Sequence, residues 1–404
     1  MSWETLKIED FADVIGGGTP STKNNSYWNG DIPWICPRDL SNWNFKYIDR
    51  GDRNISNLGL EKSSAKLLPV KTVLMTSRAP IGYVAIAKNE ICTNQGFQNL
   101  VCKENISDPN FVYYLIKEHI DKIKAVASGA TFPEISKTKL KGIELPIPPL
   151  QTQKRIADIL SAYDDLIQNN LKRIKLLEQA AQNIYKEWFV NLRFHGHENN
   201  PINEETGLPE GWEEVLMEDI MNVSGGGTPS TKEPRYWEEG KVLWFSPTDL
   251  NKNNSLVLID STKKITELGL KKSSAKLLPK RTILMSSRAT IGLFGLFNGE
   301  CSTNQGFINI NPKEESLRYY ILFNLKSRVD ELVSNANGAT FKELSKRVFK
   351  RMSIVRPDTK ISTKFYNQVE LFINQTENLE FQNQKLKAAR DILLPRLMNR
   401  TIEV

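Results

Sequence analysis

The octapeptide GGGTPSTK at 16–23 occurs again, letter for letter, at 225–232, which begins 209 positions later. The pentapeptide TNQGF at 93–97 also returns, at 303–307. A repeat on the order of 200 residues is far longer than the roughly 20–50 residues of a solenoid unit and has the size of a whole domain. The chain therefore contains two homologous domains, an arrangement that suits a target with two halves.

The composition sets broad limits on the class of protein. Of the 404 residues, 40% are hydrophobic and 25% are charged, as is usual for a globular protein in water. No apolar run approaches the roughly 18 residues of a membrane span, and the N-terminal MSWETLKIED does not resemble a signal peptide, so we expect a cytoplasmic protein. The net charge of +7 favours a polyanionic partner, although many basic proteins bind no nucleic acid.

A search for catalytic and metal-binding patterns is negative. The glycine-rich octapeptide lacks the glycine that a phosphate-binding loop carries directly before its lysine, and neither GxGxxG nor GxSxG occurs. The pair His195 and His197 has no third ligand nearby, and no histidine recurs between the two copies. The cysteines show no CxxC spacing, which predicts reduced thiols. We therefore predict no catalytic residue, no disulfide framework and no metal site.

Local patterns within each copy predict an α+β fold. The segment 71–87 has two β-branched runs around a Pro-Ile-Gly turn, which predicts a strand, a turn and a strand, and 281–297 has the same pattern. The segment 111–128 carries apolar residues at helical spacing, which predicts a helix packed on the sheet.

Behind each copy, apolar residues follow one another at alternating steps of four and three, which is the pattern of a coiled-coil seam. Two such stripes in one chain are expected to pair, and the order domain, helix, domain, helix makes them antiparallel if the domains lie at opposite ends. Asn170 and Asn383 fall on the stripes; they either fix the register from inside the seam or face outward. The predicted seam comprises Ile156, Leu160, Tyr163, Ile167, Asn170, Ile174, Leu177, Val369, Phe372, Leu379, Asn383 and Leu386.

These patterns predict five segments. They are a first globular domain at 1–150, a central helix at 151–193, a linker at 194–211, a second globular domain at 212–358 and a C-terminal helix at 359–404.

Polar loop residues are the candidates for binding nucleic acid. The glycine-rich loops could approach phosphates, the arginine of each SRA turn could contact guanine, and the Asn-Gln pairs could contact adenine. The alternatives are a plain connecting turn, a structural salt bridge and a turn cap, respectively. The shared candidates are Thr19, Ser21, Thr22, Lys23, Arg78, Asn94 and Gln95 in the first copy and Thr228, Ser230, Thr231, Lys232, Arg288, Asn304 and Gln305 in the second.

Residues that differ between the copies are where two halves could recognise different bases. The segments 41–57 and 251–267 diverge most. The divergent candidates are Arg38, Arg50, Arg53 and Lys263.

Over essentially its whole length, the chain resembles the specificity subunit of type I restriction-modification systems. The resemblance rests on a series of ordered motifs: GGGTPST, IPW-x-x-P-x-D-L, SSAKLLP, SRA-x-IG, TNQGF and GATF, followed by LPIPPLQTQKRIADIL. The resemblance implies two target-recognition domains separated by two long helices that form an antiparallel coiled coil. Each domain would recognise one half of a split site in double-stranded DNA, and the helices would set the spacing.

The resemblance also implies the partners. Two methyltransferase subunits would dock on the helices and carry S-adenosylmethionine, and a restriction subunit would supply the ATP- and Mg-dependent activity, so this chain itself would hold no cofactor. Two other classes remain open: a two-headed adaptor that binds protein or glycan, and a stand-alone modification enzyme.

Overall fold

Both copies fold into the strand, turn and strand that their β-branched runs predict. In a computed structural model of the chain, strands at Val73–Thr76 and Val84–Ala87 pair antiparallel, as do strands at Ile283–Ser286 and Phe294–Phe297. The structure describes residues 3–41, 43, 45–129, 133–253, 255–338 and 342–404. The GATF motifs therefore lie outside the described residues apart from Gly129 and Gly338.

The chain forms two compact units, each with one globular domain and a part of each long helix. The first unit comprises Met1–Gln168 with Gln384–Val404, and the second comprises Asn169–Asn383. The α+β fold class predicted from the sequence is confirmed, whereas the five domain boundaries stay a prediction.

The strands and helices of the first domain follow in order. They are β1 (Glu4–Lys7), α1 (Ile8–Phe11), β2 (Ala12–Gly16), β3 (Trp28–Ile35), α2 (Pro37–Leu40), β4 (Tyr47–Ile48), β5 (Arg53–Ile55), α3 (Asn57–Glu61), β6 (Val73–Thr76), β7 (Val84–Ala87), β8 (Cys92–Thr93), β9 (Phe97–Cys102), α4 (Pro109–Glu118), α5 (Ile120–Ala125), α6 (Lys137–Lys141), β10 (Glu144–Ile147) and the long α7 (Leu150–Tyr185).

The second domain repeats this order. Its elements are β11 (Glu213–Leu216), α8 (Met217–Ile220), β12 (Met221–Gly225), β13 (Val242–Phe245), α9 (Pro247–Lys252), β14 (Val257–Leu258), β15 (Lys263–Ile265), α10 (Glu267–Lys271), β16 (Ile283–Ser286), β17 (Phe294–Phe297), β18 (Ser302–Thr303), β19 (Phe307–Pro312), α11 (Arg318–Ser327), α12 (Val329–Ser334), α13 (Lys346–Lys350), β20 (Ser353–Arg356) and the long α14 (Thr359–Met398).

Each domain has three sheets with the same connections. In the first, a five-stranded sheet has the order β2-β9-β6-β7-β4, a three-stranded sheet has the order β5-β3-β8, and β1 pairs with β10. The second domain has the orders β12-β19-β16-β17-β14, β15-β13-β18 and β11-β20. Because the connections match sheet by sheet, the sequence repeat is a repeat of fold.

The helix predicted at 111–128 is two helices rather than one. Helix α4 ends at Glu118 and α5 begins at Ile120, with His119 between them at φ −97° and ψ 17°. Ile123 keeps the apolar spacing beyond this break and is fully buried, so the periodicity continues although the backbone changes direction.

The two long helices contact each other with opposite chain directions in each unit, as a second contact in each shows: Asp164 pairs with Arg390 in the first unit, and Asn170 with Asn383 in the second. In the first unit, Ile156 and Leu160 of α7 share a core with Leu397 of α14. In the second unit, Tyr185 of α7 packs against Phe365 of α14. The predicted seam residues are buried except Tyr163, Leu177, Phe372 and Leu386, which are half-buried.

No helix in the described part of the chain is long and apolar enough to cross a membrane.

Candidate nucleic-acid interface

The glycine-rich loop of each domain lies against the loop of its TNQGF motif. A Cβ atom on Gly17 would lie 1.9 Å from the carbonyl oxygen of Asn94, and a Cβ atom on Gly226 would lie 2.2 Å from that of Asn304. The backbone N–H of Gly18 donates to the Thr93 carbonyl at 2.8 Å. Any side chain at these glycines would therefore separate the two loops, so the glycines are required by close packing.

Two tryptophans fix the glycine-rich loop of the first domain from β3. The Trp34 indole donates to the Gly18 carbonyl at 2.9 Å, and the Trp28 indole donates to the Ser21 carbonyl at 3.1 Å. In the second domain, the indole of Trp244 donates to Gly227 at 2.9 Å and that of Trp237 to Ser230 at 3.0 Å. Each loop is thus held rigidly at one place on the three-stranded sheet.

The Asn-Gln pairs use part of their hydrogen-bonding capacity inside the protein. Asn94 Oδ1 accepts from the backbone N–H of Gly96 at 2.8 Å, and Asn304 does the same with Gly306. Thr19 donates its hydroxyl hydrogen to the side-chain oxygen of Gln95. The turn-cap alternative therefore describes the observed role of the asparagines, while Gln95 and its counterpart Gln305 are exposed.

The arginines of the two hairpin tips form ion pairs. Arg78 lies 3.5 Å from Glu134, and Arg288 lies 2.8 Å from Glu343. The side chains on both sides of each pair are about 40% exposed, so the pairs are screened by solvent and exchangeable. The salt bridge considered as an alternative from the sequence is therefore observed in both domains. Each arginine nevertheless remains accessible from the surface.

Arg53 lies on the aromatic face of the first domain's three-stranded sheet. Its guanidinium carbon is 3.5 Å from the centroid of the Trp28 ring. In the second domain, the ammonium of Lys263 is 5.4 Å from the centroid of the Trp237 ring. The divergent candidates thus place a different cation on the same tryptophan in each domain.

The other divergent candidates lie apart from that tryptophan. Arg50 is exposed and lines a depression together with Asp31 and Asp49. The negative charge of these two carboxylates makes the depression less favourable for binding an anion. Arg38 is exposed on α2. The remaining polar candidates of the glycine-rich loops are exposed as well: Ser21, Thr22 and Lys23, then Ser230, Thr231 and Lys232; Thr228, which donates to Gln305, is half-buried.

The structure brings most of these candidates together. We use the term loop cluster for four features of one domain. They are the glycine-rich loop, the TNQGF loop, the hairpin tip and the cation on the tryptophan, which is Arg53 in the first domain and Lys263 in the second. The backbone N–H of Ser77 donates to Gly96 at 2.8 Å and joins the hairpin to the TNQGF loop. Trp28 and Trp237 are not among the candidates identified from the sequence, although each belongs to a Tyr-Trp dipeptide that recurs in the two copies, at 27–28 and 236–237.

Polar contacts attach the first domain to the helices of its unit. The ammonium of Lys46 donates to Ser161 on α7 at 2.6 Å, and burial lowers the pKa of Lys46 to about 8. Asp164 accepts from the hydroxyl of Tyr114 at 2.5 Å and pairs with Arg390 of α14. Burial raises the pKa of the Tyr114 hydroxyl, so it remains a donor.

The second domain uses different residues for the same purpose. Arg281 contacts Glu370 at 2.5 Å and Asn374 at 2.6 Å, both on α14, and lies 3.9 Å from Glu377. Glu178 of α7 accepts the backbone N–H of Leu256 at 2.5 Å, and burial raises the pKa of its carboxyl group. Each domain therefore has its own polar attachment to the helices.

Among the described residues, no group of three or more His, Cys, Asp and Glu side chains is arranged to hold a metal ion.

Known proteins resemble this chain over most of its length. The family model "Type I restriction modification DNA specificity domain" matches residues 1–179 and again residues 209–388. The type I restriction enzyme MjaIX specificity subunit of Methanocaldococcus jannaschii is 35% identical, over 98% of this chain and 92% of that protein. The HindI specificity subunit of Haemophilus influenzae is 25% identical, over 73% of this chain and 78% of that protein.

A solved structure supports the same fold. The S subunit of a type I restriction-modification system from M. genitalium superposes with a TM-score of 0.57 at 18% identity, covering 98% of this chain and 96% of that one. The family model matches both repeats, and the sequence is similar to that of a specificity subunit along nearly all of its length. The chain therefore belongs to the type I restriction-modification specificity subunits, which are non-catalytic, and its two repeats are its two recognition domains.

Proposed function

We propose that each recognition domain recognises one half of a bipartite DNA target through its loop cluster. The two long helices set the distance between the halves and dock two methyltransferase subunits. The observation that carries this proposal is the duplication of the loop cluster on one scaffold with different cations in the divergent segment.

The loop clusters have the chemistry that DNA contact needs. The rigid glycine-rich loops expose hydroxyls and a lysine, which suit phosphate oxygens, and the exposed Gln95 and Gln305 can donate and accept along a base edge. Phosphate contacts would position each domain, and the divergent side chains would contact the bases. Two such domains on one chain would then recognise two half-sites whose sequences differ where the divergent side chains contact them.

The long helices support the role of spacer and dock. Helix α7 has 36 residues and α14 has 40, which at roughly 1.5 Å per residue gives about 54 and 60 Å. Half-sites one turn of DNA apart are roughly 34–36 Å from each other. Leu176 is 69% exposed and Leu371 is 67% exposed, so each helix has apolar side chains available for a docked subunit.

The partners would supply the chemistry. The docked methyltransferase subunits would bind S-adenosylmethionine and methylate adenine within the target, and a restriction subunit would add the ATP- and Mg-dependent activity. The complex would act in the cytoplasm, where its DNA is.

The test is to map methylated adenines in cells that carry the full system. A control strain lacks only this chain. We expect methylation at one motif made of two specified segments separated by bases that are free to vary, and none of it in the control strain. An uninterrupted motif, or the same methylation in the control strain, would contradict the proposal.

A further inference from the structure

We propose that Arg53, stacked on Trp28, recognises a guanine in the half-site of the first domain. In the second domain, Lys263 on Trp237 occupies the corresponding position and discriminates less sharply. This inference rests on the proposed function and adds to it the residue and the base.

The aromatic platform under Arg53 is fixed. The guanidinium carbon lies 3.5 Å from the Trp28 centroid and 5.9 Å from the Trp34 centroid. The two indoles meet edge to face, with centroids 5.2 Å apart and planes at 90°. Both are almost completely buried, at 7% and 5% exposure. A guanidinium stacked on a buried ring is restricted to one plane and keeps its N–H groups at the edge of that plane.

The platform belongs to the loop cluster. The indoles that support Arg53 also donate to the carbonyls of Ser21 and Gly18 in the glycine-rich loop. Arg53 is therefore beside the loop whose exposed hydroxyls and lysine suit phosphates. If this loop contacts the phosphates, Arg53 lies on the same DNA-facing surface.

The donors of Arg53 are available to a ligand. The side chain is exposed, and no carboxylate lies within ion-pair distance of it in the part of the chain that the structure describes. Arg78 of the same domain differs, because it pairs with Glu134. The fixed plane and the free donors of Arg53 match the O6 and N7 acceptors of guanine, which a guanidinium binds with two parallel hydrogen bonds.

The second domain repeats the platform with another cation. Trp237 and Trp244 are 5.1 Å apart at 87°, and Lys263 lies over Trp237. The strand register is equivalent, since Trp34 faces Arg53 and Trp244 faces Lys263. An ammonium is a point charge without the fork geometry of a guanidinium, so it distinguishes base edges less well. The preference for one base at this position should therefore be stronger in the first half-site than in the second.

The test replaces each cation by the other. Methylation is measured on a DNA library in which every position of both half-sites varies, using the complex with its methyltransferase subunits. We expect Arg53→Lys to reduce the preference for guanine at one base pair of the first half-site by roughly 5- to 150-fold and to leave the second half-site unchanged. Lys263→Arg should sharpen one position of the second half-site. Arg193→Lys, at a 70% exposed arginine beyond the end of α7 and outside both loop clusters, is the matched control and should change neither.

Two results would overturn the inference. Equal weakening of all sequences after Arg53→Lys would show a phosphate contact, and unchanged preferences with unchanged melting temperature would show a structural stack. Both results leave the proposed function intact as long as the native chain directs methylation to a bipartite motif. If the native chain directs no such methylation, the proposed function itself fails.

Discussion

Asn170 and Asn383 face each other between the paired helices of the second unit. The side-chain amide of Asn170 donates to Oδ1 of Asn383 at 3.0 Å, and the two residues are 5% and 1% exposed. The inward alternative considered from the sequence is therefore the observed one. Among the residues that the structure describes, the side-chain nitrogen of Asn383 has no hydrogen-bond partner, so the pair is only partly satisfied.

This amide pair predicts opposite effects for single and double replacement. Asn170→Leu removes one partner and leaves Asn383 buried alone, which should cost about 1–3 kcal/mol of stability. Replacing both residues by leucine removes the unpaired groups and should restore or exceed the native stability. Thermal melting of the two variants checks this. A double variant less stable than the single one would show that the amides contribute more than their burial costs.

The buried ion pairs of Arg281 predict a large loss of stability when its charge is removed. Its side chain is 12% exposed and contacts Glu370, which is 25% exposed, and Glu377, which is 14% exposed. Arg281→Met leaves these carboxylates without their cation and should destabilise the second unit by about 3 kcal/mol. Arg281→Lys is the matched control, because Lys71 occupies the corresponding position of the first copy, and it should cost less. Equal melting temperatures for the native chain, Arg281→Met and Arg281→Lys would contradict a stabilising role of these ion pairs.

The burial of the Lys46 ammonium predicts that the stability of the first unit depends on pH. Its pKa falls from 10.5 to about 8 because the ammonium is buried. Between these values the unfolded chain binds more protons, so the stability of the first unit rises with pH. Below pH 8 the buried charge costs on the order of 3 kcal/mol.

Lys46→Met should therefore stabilise the first unit at pH 7, and its advantage over the native chain should shrink as the pH approaches 10. Urea unfolding at both pH values measures the difference. Lys62→Met, at an exposed position, is the control and should show no such trend. An advantage that is constant with pH would mean that Lys46 is not the titrating group.

Helix length predicts the gap between the half-sites. A second copy of 171–177 in α7 and of 376–382 in α14 adds one heptad to each helix, which is about 10 Å. We expect the preferred gap to lengthen by about three base pairs, at roughly 3.4 Å each, with the bases of both half-sites unchanged. Methylation mapping on a library of gap lengths decides. An unchanged gap in a folded protein would assign the spacing to the methyltransferase subunits.

Much of this architecture could be predicted from the sequence, because its signals are local. Strands β6 and β7 follow from their β-branched runs, and the seam follows from its spacing of four and three. The break at His119 could not be predicted, because Ile123 continues the apolar periodicity across it. Family membership also decides against the adaptor and the stand-alone modification enzyme that the sequence left open.

The candidate site was predictable only in part. Glu134, the partner of Arg78, is 56 positions away in sequence, and such a contact exists only after folding. Arg53 was identified as a divergent cation, but its position on Trp28 depends on the pairing of β3 with β5. The residue types are therefore readable from the sequence, whereas the tryptophan platform that fixes one of them forms only in the folded chain.

The most direct test of the central claim, that each domain recognises its own half-site, is an exchange of the divergent segments. Residues 41–57 are replaced by 251–267, and the methylated motif is mapped with the partner subunits present. We predict that the first half-site changes toward the sequence of the second half-site, while the second half-site and the gap stay as they were. A folded exchange variant that methylates the native motif would contradict the account, because base recognition would then lie outside these segments.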